Sequence, residues 1–417
     1  MSAVPNRSSA DRADRVDRWA LLLYGGHLFT LFGLALSNVF TGLAVLATPW
    51  ALRRRRSLAP PPDAWPLLTA LGLYVLLLGA AIAASSDPGA SLRAGGEVFT
   101  LATLVLGLYL VRGERPARWL VDGLTVVAGL VATAGLVQLF GDYGAIDRRI
   151  RGPFSHWMTF SGFLLLCDLL LVARLVCGTR AAIPAGARWW RRGLSHWRWA
   201  ALAAINLALL GSLTRSAWVA LIVALTVLVL LRAPRWLAAY PPAAIVFALL
   251  APAPVLARVV SIADLRDPSN YDRLCMVEAG LRMVAERPLF GIGPGQVKER
   301  YAIYRPPSGR RLWVPHLHNS FLELAAERGL PALAAYLAMM AASLAGAWRG
   351  FAREGRFAGP RADLYLGAFL ALIALNVAGL FEHNWGDTEV QRLALFVLVL
   401  PFCLSPPSVD PAGAADS

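Results

Sequence analysis

A chain of 417 residues that is 57% hydrophobic, with mean hydropathy +0.54 and only 16% charged residues, is too apolar for a soluble globular protein. Its net charge of +14 comes almost wholly from arginine, Lys298 being the one lysine. Those arginines recur between apolar runs, on two sides of a bilayer, which excludes a nucleic-acid partner.

The N-terminal stretch MSAVPNRSSADRADRVDRW is polar and has no signal-peptide pattern, so the first apolar run is expected to act as an uncleaved signal-anchor. Twelve runs approach the length needed to cross a bilayer: 19–36, 38–52, 65–84, 97–111, 119–140, 154–177, 197–212, 216–231, 237–257, 318–345, 362–381 and 388–405. A spanning chain must satisfy its own backbone hydrogen bonds, so the fold class is all-α, a polytopic membrane protein of about twelve helices. Spans one to nine occupy 1–257, a long polar segment occupies 258–317, the last three spans occupy 318–405, and 406–417 reads as a disordered tail. Cys167, Cys177 and Cys403 lie in apolar runs and Cys275 is alone in the polar segment, so no disulfide framework is suggested.

Arginine placement sets the orientation. With the N-terminus cytoplasmic, the inner connections hold Arg53–Arg56; Arg112, Arg115 and Arg118; Arg180, Arg188, Arg191, Arg192 and Arg198; Arg232 and Arg235; and Arg349, Arg353, Arg356 and Arg361. Both termini then lie in the cytoplasm. The exceptions on the outer side are informative. Arg148, Arg149 and Arg151 follow the fifth span, where lipid headgroups or a substrate would meet them. Arg215 sits in the tight turn SLTRSAW, where a guanidinium beside exposed helix N–H groups suits an anion, the plainer alternative being a snorkelling arginine.

The long outer segment has internal order. DPSN offers Ser269 and Asn270 as helix caps, and Leu274, Val277, Leu281 and Val284 then recur at helical spacing, predicting an amphipathic helix along the membrane surface. Pro288 ends it. GIGPG at 291–295 fits neither nucleotide fingerprint, since no strand precedes it and no Lys-Ser/Thr pair follows; it reads as a turn.

The stretch LWVPHLHNSFLELAAERGL, 312–330, puts His316, His318 and Asn319 at the mouth of an apolar span, with Glu323 and Glu327 on one helical face. Polar groups there are costly unless they serve a site or satisfy a helix end. Histidine titrates near neutrality and can take a proton from a hydroxyl. Glu323 or His383–Asn384 would have to complete a metal site, but an H-x-H pair on a helix points its rings about 200° apart, so no metal is expected. FEHNWGD, 381–387, offers Glu382, His383, Asn384 and Asp387 on the same outer face, as site groups or as solvated loop.

Together, H-x-H-N-S-F-L-E-L-x-x-E-x-G-L-P at 316–331, PLFGIGPG at 288–295, SLTRSAW at 212–218 and RGPFSH at 151–156 resemble the signature of the O-antigen ligase and O-antigen polymerase superfamily, over roughly residues 150–390. That resemblance implies a GT-C-type membrane glycosyltransferase working without metal or cofactor at the periplasmic face of the bacterial inner membrane. Its donor would be undecaprenyl-pyrophosphate-linked O-antigen and its acceptor, in the ligase branch, a sugar hydroxyl of lipid A–core. His318 would be the base or acceptor-positioning residue, with His316 and Asn319 beside it. Arg215 would hold the pyrophosphate, with Arg273, Arg148, Arg149, Arg151 and His383 as further substrate-binding candidates. A single long outer segment favours ligase over polymerase, and the lack of a large C-terminal domain disfavours a protein-directed oligosaccharyltransferase. A transporter would need charges in mid-span and paired halves, neither of which the sequence displays.

Overall fold

A computed structural model describes residues 7–53, 59–141, 143–145, 147–178, 189–262, 264 and 266–404. Side chains of residues 7–17, 178 and 189–195 lie outside that description, as do Arg54–Arg56, Arg180, Arg188 and the tail 406–417. The described residues are helical, without strands.

In chain order the helices are α1 (Arg7–Phe29), α2 (Leu34–Leu52), α3 (Trp65–Ala83), α4 (Pro88–Ala94), α5 (Glu97–Leu110), α6 (Glu114–Val137), α7 (Trp157–Gly178), α8 (Trp189–Gly211), α9 (Arg215–Arg232), α10 (Tyr240–Leu250), α11 (Ala253–Val260), α12 (Pro268–Glu286), α13 (Val297–Tyr304), α14 (Ser320–Arg353), α15 (Ala362–Gly379) and α16 (Thr388–Cys403). Each of the twelve apolar runs is mainly helical. Eight helical stretches among the described residues are both long and apolar enough to cross a membrane, namely α2, α3, α4–α5, α6, α7, α9, α14 and α15. The other four runs fall short of the expected count for visible reasons. The helices α10 and α16 have 11 and 16 residues, while α1 and α8 begin in charged sequence.

Two boundaries differ from expectation. Ser37 and Asn38 lie within α2, and the break from α1 comes at Gly33 instead. Both polar side chains are satisfied there, since Ser37 Oγ donates to the His27 carbonyl at 3.0 Å and Arg392 donates to Ser37 and Asn38. The ninth run, 237–257, is not one helix: the chain turns extended at Ala251 and Pro252, and α11 starts afresh at Ala253. Proline removes the N–H that would continue α10.

The helix α16 is the hub. It is buried from Val390 to Cys403 and packs against α5, α7, α14 and α15. The helices α7 and α15 run along each other, and α3 lies along α14. At the end of the bundle formed by the C-terminus of α7 and the N-terminus of α15, Arg174 is bonded to Asp122 and Asp363 (2.7 Å each), Arg118 to Glu114 and Asp363, and Arg198 to Asp122.

At the opposite end α14 is broken. Gly329 has φ 86° and ψ 167°, so a short helix, 320–328, meets a long one, 330–353, across a non-helical joint. The carbonyls this frees need partners. They find them in the glycine turn: Ile292 N–H donates to Ala326 (2.8 Å) and Gly293 N–H to Glu327 (3.0 Å), while Leu330 N–H donates back to Pro288 (2.8 Å). The turn therefore stitches segment 258–317 to the bundle. Beneath it Arg328 is paired with Glu97 (2.9 Å) and Glu327 (3.1 Å), and Tyr74 donates to Glu97 at 3.0 Å.

The joint makes a prediction about Gly329. A Cβ there would stand 2.1 Å from the Leu289 carbonyl oxygen, on a backbone that costs an L-residue about 1–2 kcal/mol by itself. Gly355, also at positive φ (68°), faces open space. Thermal unfolding in detergent should give Gly329→Ala a loss on the order of 3 kcal/mol, against roughly 1 kcal/mol for Gly355→Ala. Equal losses would mean the stitch is not tightly packed.

Candidate active site

The site is assembled from four stretches that meet at the broken end of α14. The first is the loop before α7. Arg149 is buried, with its guanidinium 5.1 Å from the centre of the Trp157 ring, and His156 follows in the same cavity. Arg148 and Arg151 point elsewhere. Arg148 is exposed and lines neither cavity of the site, and Arg151 Nη1 is used on the Ser155 carbonyl (2.8 Å).

The second stretch runs from α11 into α12. The N-cap of α12 is Asp267, whose carboxylate accepts from Ser269 and Asn270 N–H, in place of the expected Ser269 or Asn270. The buried face is Met276, Ala279 and Met283, whereas Leu274, Val277 and Leu281 of the anticipated apolar stripe are exposed. Asp272 and Arg273 emerge beside the site. Arg311 Nε pairs with Asp272 at 2.6 Å, and Arg273 stands 3.5 Å from Glu382.

The third stretch carries the histidines. His316 and His318 precede α14 and are not on a helix, which overturns the geometric reason for setting them apart: their ring centres are 4.2 Å from each other. His318 takes φ 52°, held by its own N–H donating to His316 Nδ1 (3.2 Å) and by Leu317 N–H donating to the buried Glu323 (2.7 Å). Asn319 is the N-cap of α14. Its Oδ1 accepts from Phe321 and Leu322 N–H, and its Nδ2 donates to the Leu380 carbonyl, so its polar atoms are spent on folding.

The fourth is the turn after α15. In the sequence Glu382 is one of several polar loop residues, yet it is the buried centre of the site. Its carboxylate lies 2.9 and 3.1 Å from His318 Nδ1 and 3.8 Å from His316 Nε2. Its backbone carbonyl accepts from Ser320 Oγ at 3.0 Å, which locks the turn to the start of α14. Trp385, in the same turn, donates to Tyr74 (3.4 Å) and so ties it to the Glu97–Arg328 network.

The electrostatics follow from burial. Burial pushes the Glu382 carboxyl up, but the His318 hydrogen bond and the charges of His318, His316 and Arg273 outweigh it and bring it down to about 2. Burial lowers His316 to about 4, and it also lowers His383 and His156. The Glu382 carboxylate accepts a hydrogen bond from His318 Nδ1–H, a tautomer that leaves the Nε2 lone pair free.

Two cavities flank His318 and Arg273. One, about 520 Å³, is polar and lined by Arg149, His156, Arg258, Arg311, His316 and His383 among others. The other, about 280 Å³, is an apolar groove of Val219, Ile262, Leu274, Val277, Leu380 and Phe381, with Arg215 at its polar end. Arg215 and His318 thus line one groove. The Nη groups of Arg215 are engaged with Ser261 O (2.7 Å) and Ser269 Oγ (2.7 Å).

One comparison with known proteins bears on this site. Residues 199–337 match the family model described as O-antigen ligase. The stretch runs from α8 past the joint in α14 and contains Arg215, Arg258, Arg273, His316 and His318, so the resemblance in the sequence motifs is borne out there. It points to a glycosyl-transferring membrane enzyme of the ligase or polymerase kind. Arg149, His156 and Glu382 fall outside the match. The comparison with curated proteins finds no match.

His316, His318 and Glu382 bring ligand atoms within 4.8 Å of one another, the donor types of a three-ligand divalent site. Two features favour a proton-sharing pair over a cation. Arg273 already supplies positive charge at Glu382. His316 Nδ1 is committed as an acceptor, so in the neutral ring the proton sits on Nε2, the atom facing Glu382.

These shifts set a pH dependence of stability. His316 is harder to protonate folded (about 4) than unfolded (about 6.5), so the unfolded chain binds more protons between those values and stability falls as pH drops through that window. Glu382, held at about 2, adds a loss beginning below its ordinary 4.5. The unfolding midpoint in detergent should decline from pH 7 to pH 4, and His316→Gln should shrink the part between 6.5 and 4.5. An unchanged slope in that variant would remove His316 from the account.

Proposed function

We propose that this protein is an O-antigen ligase, transferring O-antigen from undecaprenyl pyrophosphate to a sugar hydroxyl of lipid A–core at the periplasmic face of the bacterial inner membrane. The single observation that carries the reading is the Glu382–His318 pair standing in the wall between a polar cavity and an apolar groove, with Arg273 in the same wall.

In this reading the isoprenoid end of the donor lies along the groove. Its diphosphate meets Arg273, with Arg215 behind it, and the accepting sugar enters the polar cavity. His318 Nε2 takes the hydroxyl proton as the oxygen attacks the anomeric carbon. The carbon–oxygen bond to the diphosphate breaks, its electron pair leaves with undecaprenyl diphosphate, and the anomeric centre inverts. Glu382 keeps Nδ1 protonated and stabilises the imidazolium as it forms. The arginines matter because charge on the diphosphate grows as that bond breaks, so fixed cations stabilise the transition state more than the bound donor. Arginine does here what a divalent ion would otherwise do. The GT-C architecture, twelve spans and cytoplasmic termini belong to this proposal too. The polymerase reading uses the same donor chemistry with a second glycan as acceptor.

Purified protein, lipid-linked O-antigen and lipid A–core test it directly. Transfer should persist in EDTA. His318→Ala should lower kcat about 10²- to 10⁴-fold, the usual worth of a positioned base. Glu382→Gln should cost roughly tenfold to a hundredfold and move the pH profile of kcat/KM, since the amide no longer fixes the tautomer. Loss of turnover in chelator, restored by a divalent ion, would replace this mechanism with a metal-assisted one. Joining of repeat units with lipid A–core inert would favour the polymerase.

A further inference from the structure

The loop RGPFSH, 151–156, leads into the polar cavity and ends in a histidine that the mechanism leaves unused. That loop is clamped. Gln138, at the C-terminal end of α6, accepts through Oε1 from Arg151 N–H (2.9 Å) and Gly152 N–H (3.1 Å), and its Nε2 donates to the Gly152 carbonyl at 2.8 Å. Gly152 has φ 55°, and a Cβ there would stand 2.8 Å from the Phe160 ring. Two further bonds fix the start of α7. Phe160 N–H donates to the His156 carbonyl at 3.1 Å, and Thr159 Oγ1 donates to Asp387, the N-cap of α16.

His156 therefore has a set position, and its tautomer is set too. Met158 N–H donates to Nδ1 at 3.2 Å, which puts the lone pair on Nδ1 and the ring proton on Nε2. Among the described residues Nε2 has no hydrogen-bond partner, while the half-buried ring lines the polar cavity beside His318. The carboxylates of that wall are taken: Asp387 by Thr159 and the cap of α16, Glu382 by His318 and Arg273. His318 has the opposite tautomer, since its Nδ1–H is directed at Glu382. The cavity thus offers one imidazole nitrogen that accepts and one that donates. Capping α7 needs only the acceptor at Nδ1, which a serine or an aspartate supplies as well. The imidazole adds a donor on the far side of the ring. A sugar suits such a pair, because one of its hydroxyls gives a proton while a neighbouring oxygen takes one.

We propose that His156 is a specificity-determining residue, donating from Nε2–H to a hydroxyl oxygen of the glycan bound in the polar cavity. The inference deepens the transferase reading and rests on it for placing a glycan there. That hydroxyl belongs either to the accepting sugar or to the sugar being transferred, and the test separates the two.

The test uses the full-length protein in detergent with lipid-linked donor and lipid A–core, each supplied in native form and as a set of monodeoxy analogues. Wild type should lose about tenfold in kcat/KM on at least one analogue, as a site built to bond a hydroxyl rejects the sugar that lacks it. His156→Asp and His156→Asn each keep an oxygen to cap α7, so both should unfold at about the wild-type temperature. Only the asparagine keeps a donor. His156→Asp should lose about tenfold on the native substrates and nothing further on that analogue, whereas His156→Asn should recover part of the native rate. An analogue of the acceptor set assigns the hydroxyl to the accepting sugar, and one of the donor set to the transferred sugar. The aspartate's charge also acts on His318, but that moves the pH profile alike for native and deoxy substrates and leaves the pattern among them unchanged. Equal wild-type rates on every analogue, or a His156→Asp variant that keeps the wild-type pattern across both sets, overturns the inference while leaving transfer intact. If wild type transfers nothing, the transferase reading fails. Calorimetry with soluble core oligosaccharide and O-antigen fragments then decides separately: about tenfold weaker binding of either by His156→Asp upholds the contact, and equal binding or none overturns it.

Discussion

The break in α14 is the constraint on which the site depends. A helix interrupted inside an apolar bundle exposes carbonyls that water cannot reach, and each must be answered by protein. Here the answer is a turn whose glycines let backbone touch backbone. A Cβ on Gly291 would sit 2.3 Å from the Glu327 carbonyl carbon, and one on Gly293 2.1 Å from Ser85 Oγ. The GIGPG sequence is therefore neither a nucleotide loop nor an ordinary surface turn. It is the complementary half of a helix joint, and by docking there it fixes the entire segment that carries Arg258, Arg273 and His316 against the bundle.

From the joint, order passes to the chemistry through hydrogen bonds that leave little freedom. Glu323, one turn inside α14, accepts from Leu317 N–H, which sets the backbone between the two histidines. Asn319 caps the helix, and Ser320 holds the carbonyl of Glu382. Glu382 is thereby brought to His318 across 64 residues of sequence. The run at 316–320 divides its labour: His318 lines both cavities and His316 the polar one, while Asn319 and Ser320 spend their polar atoms holding the helix start and the Glu382 turn.

Much of this architecture is legible from the sequence. The twelve apolar runs are mainly helical, and the amphipathic run after DPSN is a helix as well. The histidine stretch and Arg215 do converge on one end of the bundle. What escapes has identifiable causes. The sequence puts the break between the first two runs at Ser37, because the partners that satisfy its side chain inside α2, His27 and Arg392, lie in other helices. Leu274, Val277 and Leu281 mark a face of α12, but periodicity alone does not say that the smaller residues Ala279 and Gly280 are the ones packed against the site. The helical assumption for H-x-H failed because Pro315 and the cap at Asn319 keep both histidines out of α14. Glu382 carries no local signal, since no sequence pattern distinguishes a carboxylate on a solvated turn from one buried against imidazole.

The two ends of the bundle also explain why counting arginines is not enough. At the far end Arg118, Arg174 and Arg198 meet Glu114, Asp122 and Asp363, three cations for three carboxylates, and the cluster closes on itself. Such a set ties α6, α7, α8 and α15 together. At the site end the acids are fewer in effect, because Glu382 is claimed by a histidine and Asp267 also serves as a helix cap. Burying charge is costly wherever it occurs. Where the opposing charges are present, the cost is offset within the fold; where a carboxylate is shared, as at Glu382 and Asp267, an anionic ligand would offset it further on the function proposed above. Position and pairing, more than the overall basicity of the chain, separate the arginines that hold helices together from those to which the proposed function assigns a substrate.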